Sequence, residues 1–168
     1  MRDVTIRDAE AADLDAVSRL AAKLVRLHGH WDPRRYLVQE PVEQGYRGWL
    51  GSQLGEPEVL LLVAERQGLV AGYLYGAVEP RDWAMLLERH GAIHDLYVDE
   101  AHRGQGVARA LLQAAIARLG PRARNLVLHT AVQNEAAQRL FARLGFRPTM
   151  VEMTREGEGP HPLDIHTV

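Results

Sequence analysis

A chain of 168 residues that is 46% hydrophobic holds enough apolar material for one domain with a genuine core. Its 20 basic and 22 acidic residues leave a formal charge of −2, which argues against nucleic acid or an acidic membrane surface as a partner. The absence of cysteine excludes disulfides, a thiolate zinc site and a cysteine nucleophile.

The first ten residues, MRDVTIRDAE, contain acids and lack the apolar centre of a signal peptide, and VTIR reads as a short strand. Leu14, Val17, Ala21, Leu24 and His28 then fall on one helical face, with Asp13 in the first turn, where the helix dipole favours an acid. Gly29 and Pro33 point to a loop over HGHWDPRRY, and residues 41–51 read as a second helix interrupted by glycines. EVLLLVAE and LVAGYLYGAV flank Arg66-Gln67-Gly68 as a hairpin with Gly68 at the turn. The run VLLLVA is too short to cross a bilayer, so a soluble cytoplasmic protein is expected. AIHDLYV is the next strand and leads into a helix whose stripe is Val107, Ala108, Leu111, Leu112, Ala115, Ile116 and Leu119. NLVLHTAV, NEAAQRLFARLG and FRPTMVEMT follow as strand, helix and last strand, before a tail from Glu156 to Val168. The order β-α-α-β-β-β-α-β-α-β implies an α/β fold of the α+β kind, a mixed sheet covered by helices. Its first hairpins are antiparallel, and the unit from 92 to 132 is a right-handed parallel crossover.

The helix that begins near Val107 has an unusual entrance. A helix N-terminus carries partial positive charge and normally attracts Asp or Glu. Here Arg103 and Arg109 flank Gly104 and Gly106, and no acid occurs between Glu100 and Glu135. Free amides, close-approach glycines and guanidinium forks together suit a ligand phosphate, although a plain tight turn with solvated arginines has the same composition. A P-loop is excluded because no Gly-Lys-Ser/Thr follows a four-residue spacer. A dinucleotide fingerprint is excluded because Arg109 occupies its third small-residue position and no acid lies about 20 residues on.

RGQGVA, following the strand DLYV, resembles the acetyl-coenzyme-A signature of the GNAT (Gcn5-related) N-acetyltransferase superfamily, Arg/Gln-x-x-Gly-x-Gly/Ala, with Arg103, Gly106 and Ala108 in the specified places. NEAAQRLFARLGF resembles its second motif through Asn134, Ala137, Leu140, Gly145 and Phe146. The resemblance implies a GNAT-like acyl-CoA N-acyltransferase fold, with splayed central strands, over residues 1–155, followed by a tail over 156–168. It implies acetyl-CoA as co-substrate and no metal. The backbone of Arg103, Gly104, Gln105, Gly106, Val107 and Ala108 would hold the pyrophosphate, assisted by Arg103 and Arg109. Leu96, Tyr97 and Val98 would line the pantetheine arm, the Val98 amide would stabilise the oxyanion, and Asn134 would contact the cofactor. Phe141 stands where many relatives carry a Tyr proposed to protonate the departing thiolate; a thiol near the cysteine reference of about 8.5 can leave unassisted.

The implied reaction is acetyl transfer to a primary amine of a small molecule, protein or peptide by direct attack through a tetrahedral intermediate. The alternative is a degenerate module that binds acyl-CoA without catalysis, hinted at by Phe141. An alkyl amine with a reference pKa near 10.4 is neutral in only about one molecule in 2,500 at pH 7, which forfeits about 4.6 kcal/mol unless a base removes the proton. His94 and Asp95 are the candidates, and as strand neighbours they are expected on opposite faces, only one facing the acceptor. Tyr73, Tyr75, Glu79, residues 79–91 and the loop holding His28, His30, Trp31, Asp32 and Tyr36 are candidates for the acceptor pocket. His28 and His30 lack a third metal ligand at suitable spacing. Dimerisation is common in the family, so a homodimer is an expectation, and no apolar stripe locates its interface.

Overall fold

A computed structural model describes residues 4–157 and Gly159. Five strands, β1 (Thr5–Asp8), β2 (Val59–Arg66), β3 (Leu69–Glu79), β4 (His90–Val98) and β5 (Leu126–Leu128), form one sheet in sequence order. β1 to β4 pair antiparallel, and β5 joins β4 in parallel through Gly91↔Leu126, Ala92↔Val127 and Ile93↔Leu128. The β2–β3 hairpin turns at Gln67 and Gly68, whose φ values of 53° and 76° give the turn the twist that suits antiparallel neighbours.

Helices α1 (Leu14–Trp31) and α2 (Val42–Gln53) cover one face of the sheet, and α3 (Val107–Leu119) and α4 (Glu135–Arg143) the other. Strand alternation sorts the core. Leu60, Leu62, Leu74, Val78 and Ile93 meet Val107, Leu111, Leu112 and Leu119 of α3. Leu61, Val63, Tyr73, Tyr75 and Tyr97 meet Leu14, Val17 and Ala21 of α1 and Leu50 of α2. The sheet is thereby fixed between two apolar layers, with β4 buried except over His94 to Leu96. At about 1.5–3 kcal/mol per fully buried aliphatic side chain, the α3 stripe alone holds that helix against β2, β3 and β4.

The structure departs from the expected elements in three places. α1 continues through Gly29 to Trp31 instead of breaking there, because the missing Cβ makes room for Val38, whose Cγ2 lies 2.4 Å from where that Cβ would stand. β5 stops at Leu128, short of the expected 125–132. The carbonyls of Ala131 and Val132, which a strand would offer to its neighbour, instead accept the Gln138 side-chain amide at 3.0 and 3.1 Å. The expected strand over 146–154 is absent: Phe146 N–H closes α4 by donating to Phe141 O at 3.1 Å, Pro148 has no N–H, and β5 offers a three-residue edge. That segment reaches instead to the far end of α1, where Glu152 pairs with Arg35. Beyond Glu156 and Gly157, the expected tail lies outside the described residues except for Gly159.

Candidate active site

The donor side is built by what β4 leaves unpaired. After Ile93 and Leu128 the two parallel strands part, so the β5-facing edge of β4 has no ladder partner from His94 onward. On the opposite edge, Asp99 N–H donates to Ala71 O at 2.9 Å, which makes Ala71 and Asp99 a hydrogen-bonded antiparallel pair. Alternation then makes Tyr73–Tyr97 another, and turns the N–H and C=O of Leu96 and Val98 away from β3 into the gap. Consistent with that direction, Arg103 Nε donates to Val98 O at 3.1 Å.

The entrance of α3 lies at the end of this gap. Gly106 is the N-cap, with φ 84°, no side chain caps the helix, and no acid sits in the first turn. The first helical bond is Ala110 N–H to Gly106 O at 3.0 Å, so the amides of Val107, Ala108 and Arg109 lack an intrahelical acceptor. Gly104, at φ 70°, and Gly106 both have open space where a side chain would begin. Arg109 is exposed with no ion pair among the described residues, whereas the Gln105 side chain folds back on Ala101 O at 3.1 Å. The Arg103 guanidinium is already engaged: besides Val98 O it meets Glu100 at 3.3 Å and lies over the Tyr97 ring at 5.1 Å. It therefore ties the loop to β4, and an anion at the helix entrance meets its side chain only if those contacts open.

Two residues of the second motif serve α4 itself. Asn134 caps the helix, its side-chain oxygen accepting Ala137 N–H at 3.3 Å. Phe141 packs beneath the α3 layer and meets Phe146 edge-on, with ring centroids 6.1 Å apart.

The acceptor side corrects the expectation that His94 and Asp95 face apart. The β3–β4 register jumps from Tyr75↔Asp95 to Gly76↔Ile93, leaving His94 as the extra residue of a bulge. A bulge breaks the two-residue alternation and turns consecutive side chains the same way. Asp95 accepts Tyr73 O–H at 3.0 Å, while the His94 ring stacks on Tyr75 at 5.6 Å; both tyrosines belong to the α1–α2 layer. Burial pushes the Asp95 carboxyl above its ordinary range, opposed by the Tyr73 hydrogen bond and by His94 and His28 nearby. Burial also pushes Tyr46 up to about 12, with the Asp95 charge adding to it.

Aromatic side chains lie on the same α1–α2 side as this carboxylate, Tyr46 and Tyr75 close enough to feel its charge. Tyr46, Trp49 and Tyr75 form one edge-to-face row at 5.6 and 4.8 Å, and His28 meets Trp31 and Tyr36 at 5.2 and 4.8 Å. Of the loop residues, His28 Nδ1–H donates to Leu24 O at 2.9 Å, and Asp32 accepts the Arg34 and Arg35 backbone amides. Among the described residues no group of three or more His, Cys, Asp or Glu could hold a metal ion, and no helix is long and apolar enough to cross a membrane. Sequence reasoning missed Tyr46 and Trp49; their i, i+3 spacing on one face of α2 was the available signal. It also missed Lys23, whose Nζ bonds Asp99 at 2.7 Å and Glu100 at 3.1 Å, joining α1 to the base of the donor loop. The Tyr97 hydroxyl and Lys23 hold the Glu100 carboxyl down at about 2.

Parallel strands β4 and β5 that part after three residue pairs, beside a glycine-flanked, uncapped helix, fit the GNAT architecture. The acetyltransferase (GNAT) family matches residues 24–146, and the chain belongs to that family. Over 157 residues it is 33% identical to the L-methionine sulfoximine/L-methionine sulfone acetyltransferase of Salmonella typhimurium, covering 87% of this chain and 81% of that one. It is 28% identical over 149 residues, 87% of its own length, to an uncharacterised N-acetyltransferase of Methanocaldococcus jannaschii, and spans only 62% of that protein. A GCN5-related N-acetyltransferase from Ralstonia eutropha superposes with a TM-score of 0.70 at 27% identity, over 94% of this chain and all (100%) of that one.

Proposed function

We propose that this chain transfers an acetyl group from acetyl-CoA to the primary amine of a small molecule, protein or peptide. The observation that carries the reading is the parting of β4 from β5 after Ile93 and Leu128, beside the uncapped N-terminus of α3. The residues fit the donor on three counts: no acid competes for the helix entrance, Gly104 and Gly106 leave room for a phosphate, and the first-turn amides are free. The backbone of Gly104 to Ala108 would hold the diphosphate, with Arg109 adding charge, and the Leu96 and Val98 edge would align the pantetheine arm as an added strand does. Bound there, the donor supplies an acetyl thioester.

On the opposite side of β4, Asp95, bonded to Tyr73 O–H on the side of the sheet that carries the Trp49–Tyr75 pair, draws in the acceptor's ammonium. With His94 on the same face, a proton can leave the ammonium beside the reacting carbon. The Val98 amide, turned into the gap, would stabilise the developing oxyanion. The activity of the Salmonella relative places L-methionine sulfoximine and L-methionine sulfone first among acceptors to test. A panel with these two, a polyamine, an aminoglycoside and peptides with free N-termini, read by thiol release and by the mass of the acetylated product, is expected to return at least one turned-over amine. Binding of acetyl-CoA no tighter than of AMP, with no thiol released, overturns the reading.

A further inference from the structure

On the acceptor face, a cavity of about 70 Å³ lies between the end of β4 and the loop 80–89, with room for about two waters. Histidines 90, 94 and 129 line it with Glu79 and Asp82. Asp82 is occupied, its Oδ1 accepting the Ala84 and Met85 amides at 2.8 and 2.9 Å. Glu79 is different, since its two oxygens each face a histidine. Oε1 lies 2.6 Å from His94 Nε2, and Oε2 lies 3.4 Å from His90 Nε2.

The donor count fixes the proton positions. A carboxylate only accepts, so the 2.6 Å contact requires the hydrogen of neutral His94 to sit on Nε2. Nδ1 then carries a bare lone pair, and among the described residues nothing bonds to it. His90 is held the other way round. Its Nδ1 lies 2.9 Å from Glu88 O, a pure acceptor, so Nδ1 bears the hydrogen and Nε2 faces Glu79 without one unless the ring is protonated. The two rings differ in access as well, with side-chain exposures of 40% for His94 and 6% for His90. One carboxylate thus orients an accessible imidazole with its basic nitrogen free, backed by a second, buried imidazole.

We infer that Glu79 is a positioning residue that presents His94 Nδ1 as the proton acceptor for the amine, an inference that rests on the acetyl-transfer reading. One proton of the acceptor's ammonium passes to Nδ1, directly or through a water in the cavity, and Glu79 balances the imidazolium that results. The freed nitrogen lone pair forms the bond to the acetyl carbon as the carbon–sulfur bond breaks. Sulfur keeps that electron pair and takes a second proton from nitrogen, and His94 releases its proton to water. The charged groups facing His94 are Glu79 across the β3–β4 pair, Asp95 beside it, and His90, His129 and Asp82 around the cavity.

The test combines tautomer spectroscopy with pH–rate profiles on the full chain. Long-range proton–nitrogen NMR of the imidazoles, with His94 assigned by its loss in His94→Gln, is expected to show neutral His94 protonated at Nε2. Glu79→Gln can still accept that hydrogen but carries no charge. It is expected to lower kcat roughly tenfold to hundredfold with the KM for acetyl-CoA unchanged, and to move the acid limb of the kcat profile to lower pH. Glu79→Asp is expected to restore part of both. A spectrum with the hydrogen on Nδ1, or an acid limb in Glu79→Gln that coincides with wild type, overturns the inference. If the wild-type chain acetylates no amine in the panel, the acetyl-transfer reading fails and the catalytic role falls with it, while the NMR result still decides the tautomer that Glu79 imposes.

Discussion

Replacing Gly106 by Val separates the donor site from the fold. Gly106 caps α3 at φ 84° and ψ 0°, a conformation that costs a residue with a Cβ about 1–2 kcal/mol, and a β-branched one at least as much. No atom lies within 4 Å of the Cβ position, so no clash adds to that strain. For a chain of this size the loss corresponds to roughly 2–8 °C in Tm. Binding suffers more, because the new methyls occupy the space over the Val107, Ala108 and Arg109 amides. Each charge-assisted hydrogen bond forfeited there is worth about 1.5–3 kcal/mol, and losing two weakens acetyl-CoA binding at least about 100-fold. Isothermal titration at a temperature where circular dichroism shows the variant folded measures it. Gly91→Ala is the contrasting control, since its Cβ would stand 2.4 Å from Leu126 Cδ2 and 3.3 Å from Leu119 Cβ, and so strikes the core. A folded Gly106→Val chain that binds acetyl-CoA within about threefold of wild type would refute the assignment of these amides to the donor phosphates.

Other substitutions test the acceptor side and the frame. Asp95→Asn is expected to lower kcat/KM about 10- to 100-fold by removing the anion that meets the ammonium. Because burial raises the folded Asp95 above its unfolded value, stability is lost as pH rises from the unfolded value through the folded one, and above it the ionised form carries the full cost; Asn removes that cost, so Tm at pH 7 should hold or rise, and a fall would contradict it. Asp13 has the opposite sign: bonded to the Arg7 guanidinium at 2.7 and 2.9 Å, its carboxyl is held below the ordinary range. Its stabilisation is present above the unfolded value and is lost as pH falls through the folded one. Asp13→Asn should therefore cost about 1–3 kcal/mol in urea unfolding at pH 7, a difference that shrinks in acid. Phe141→Tyr is expected to change kcat less than about threefold, since a thiol of this acidity departs without a donor; a tenfold rise in rate would show that departure limits the wild type.

What was legible in the sequence follows the range of the forces involved. The α3 stripe, the hairpin at Gln67-Gly68 and the acid-free helix entrance depend on neighbours within a turn or two, and each appears where periodicity and glycine placement put it. The end of β5 was illegible because Gln138, a helix residue ten positions beyond Leu128, takes the carbonyls that would have continued the strand. The same holds for Asp13, which reads as a helix-dipole acid until Arg7 of β1 is seen to clamp it. Arg103 reads as a phosphate ligand by its motif, and no local pattern shows that its guanidinium also reaches Val98 O and the Tyr97 ring. No local pattern marks the β4 bulge, because it exists only in the register between two strands.

On the proposed acetyl-transfer reading, that bulge lets a single strand face two substrates. In a regular strand, His94 and Asp95 would be divided between the two faces, and the α3 side of the sheet is a closed aliphatic layer in which neither could meet a soluble amine. One extra residue turns both toward the tyrosine layer and then lets alternation resume, so Leu96 and Val98 still aim their backbone at the gap beside β5 while Tyr97 joins the tyrosine layer. Side chains and backbone of the same few residues thereby point to different places: the polar side chains to the tyrosine layer, where the proposed amine would lie, and the N–H and C=O groups to the gap, where the proposed thioester arm would lie. Deleting His94 would remove the bulge while leaving Tyr75 opposite Asp95 and Gly76 opposite Ile93, so Leu96 and Val98 would keep their direction toward the gap and the imidazole alone would be lost.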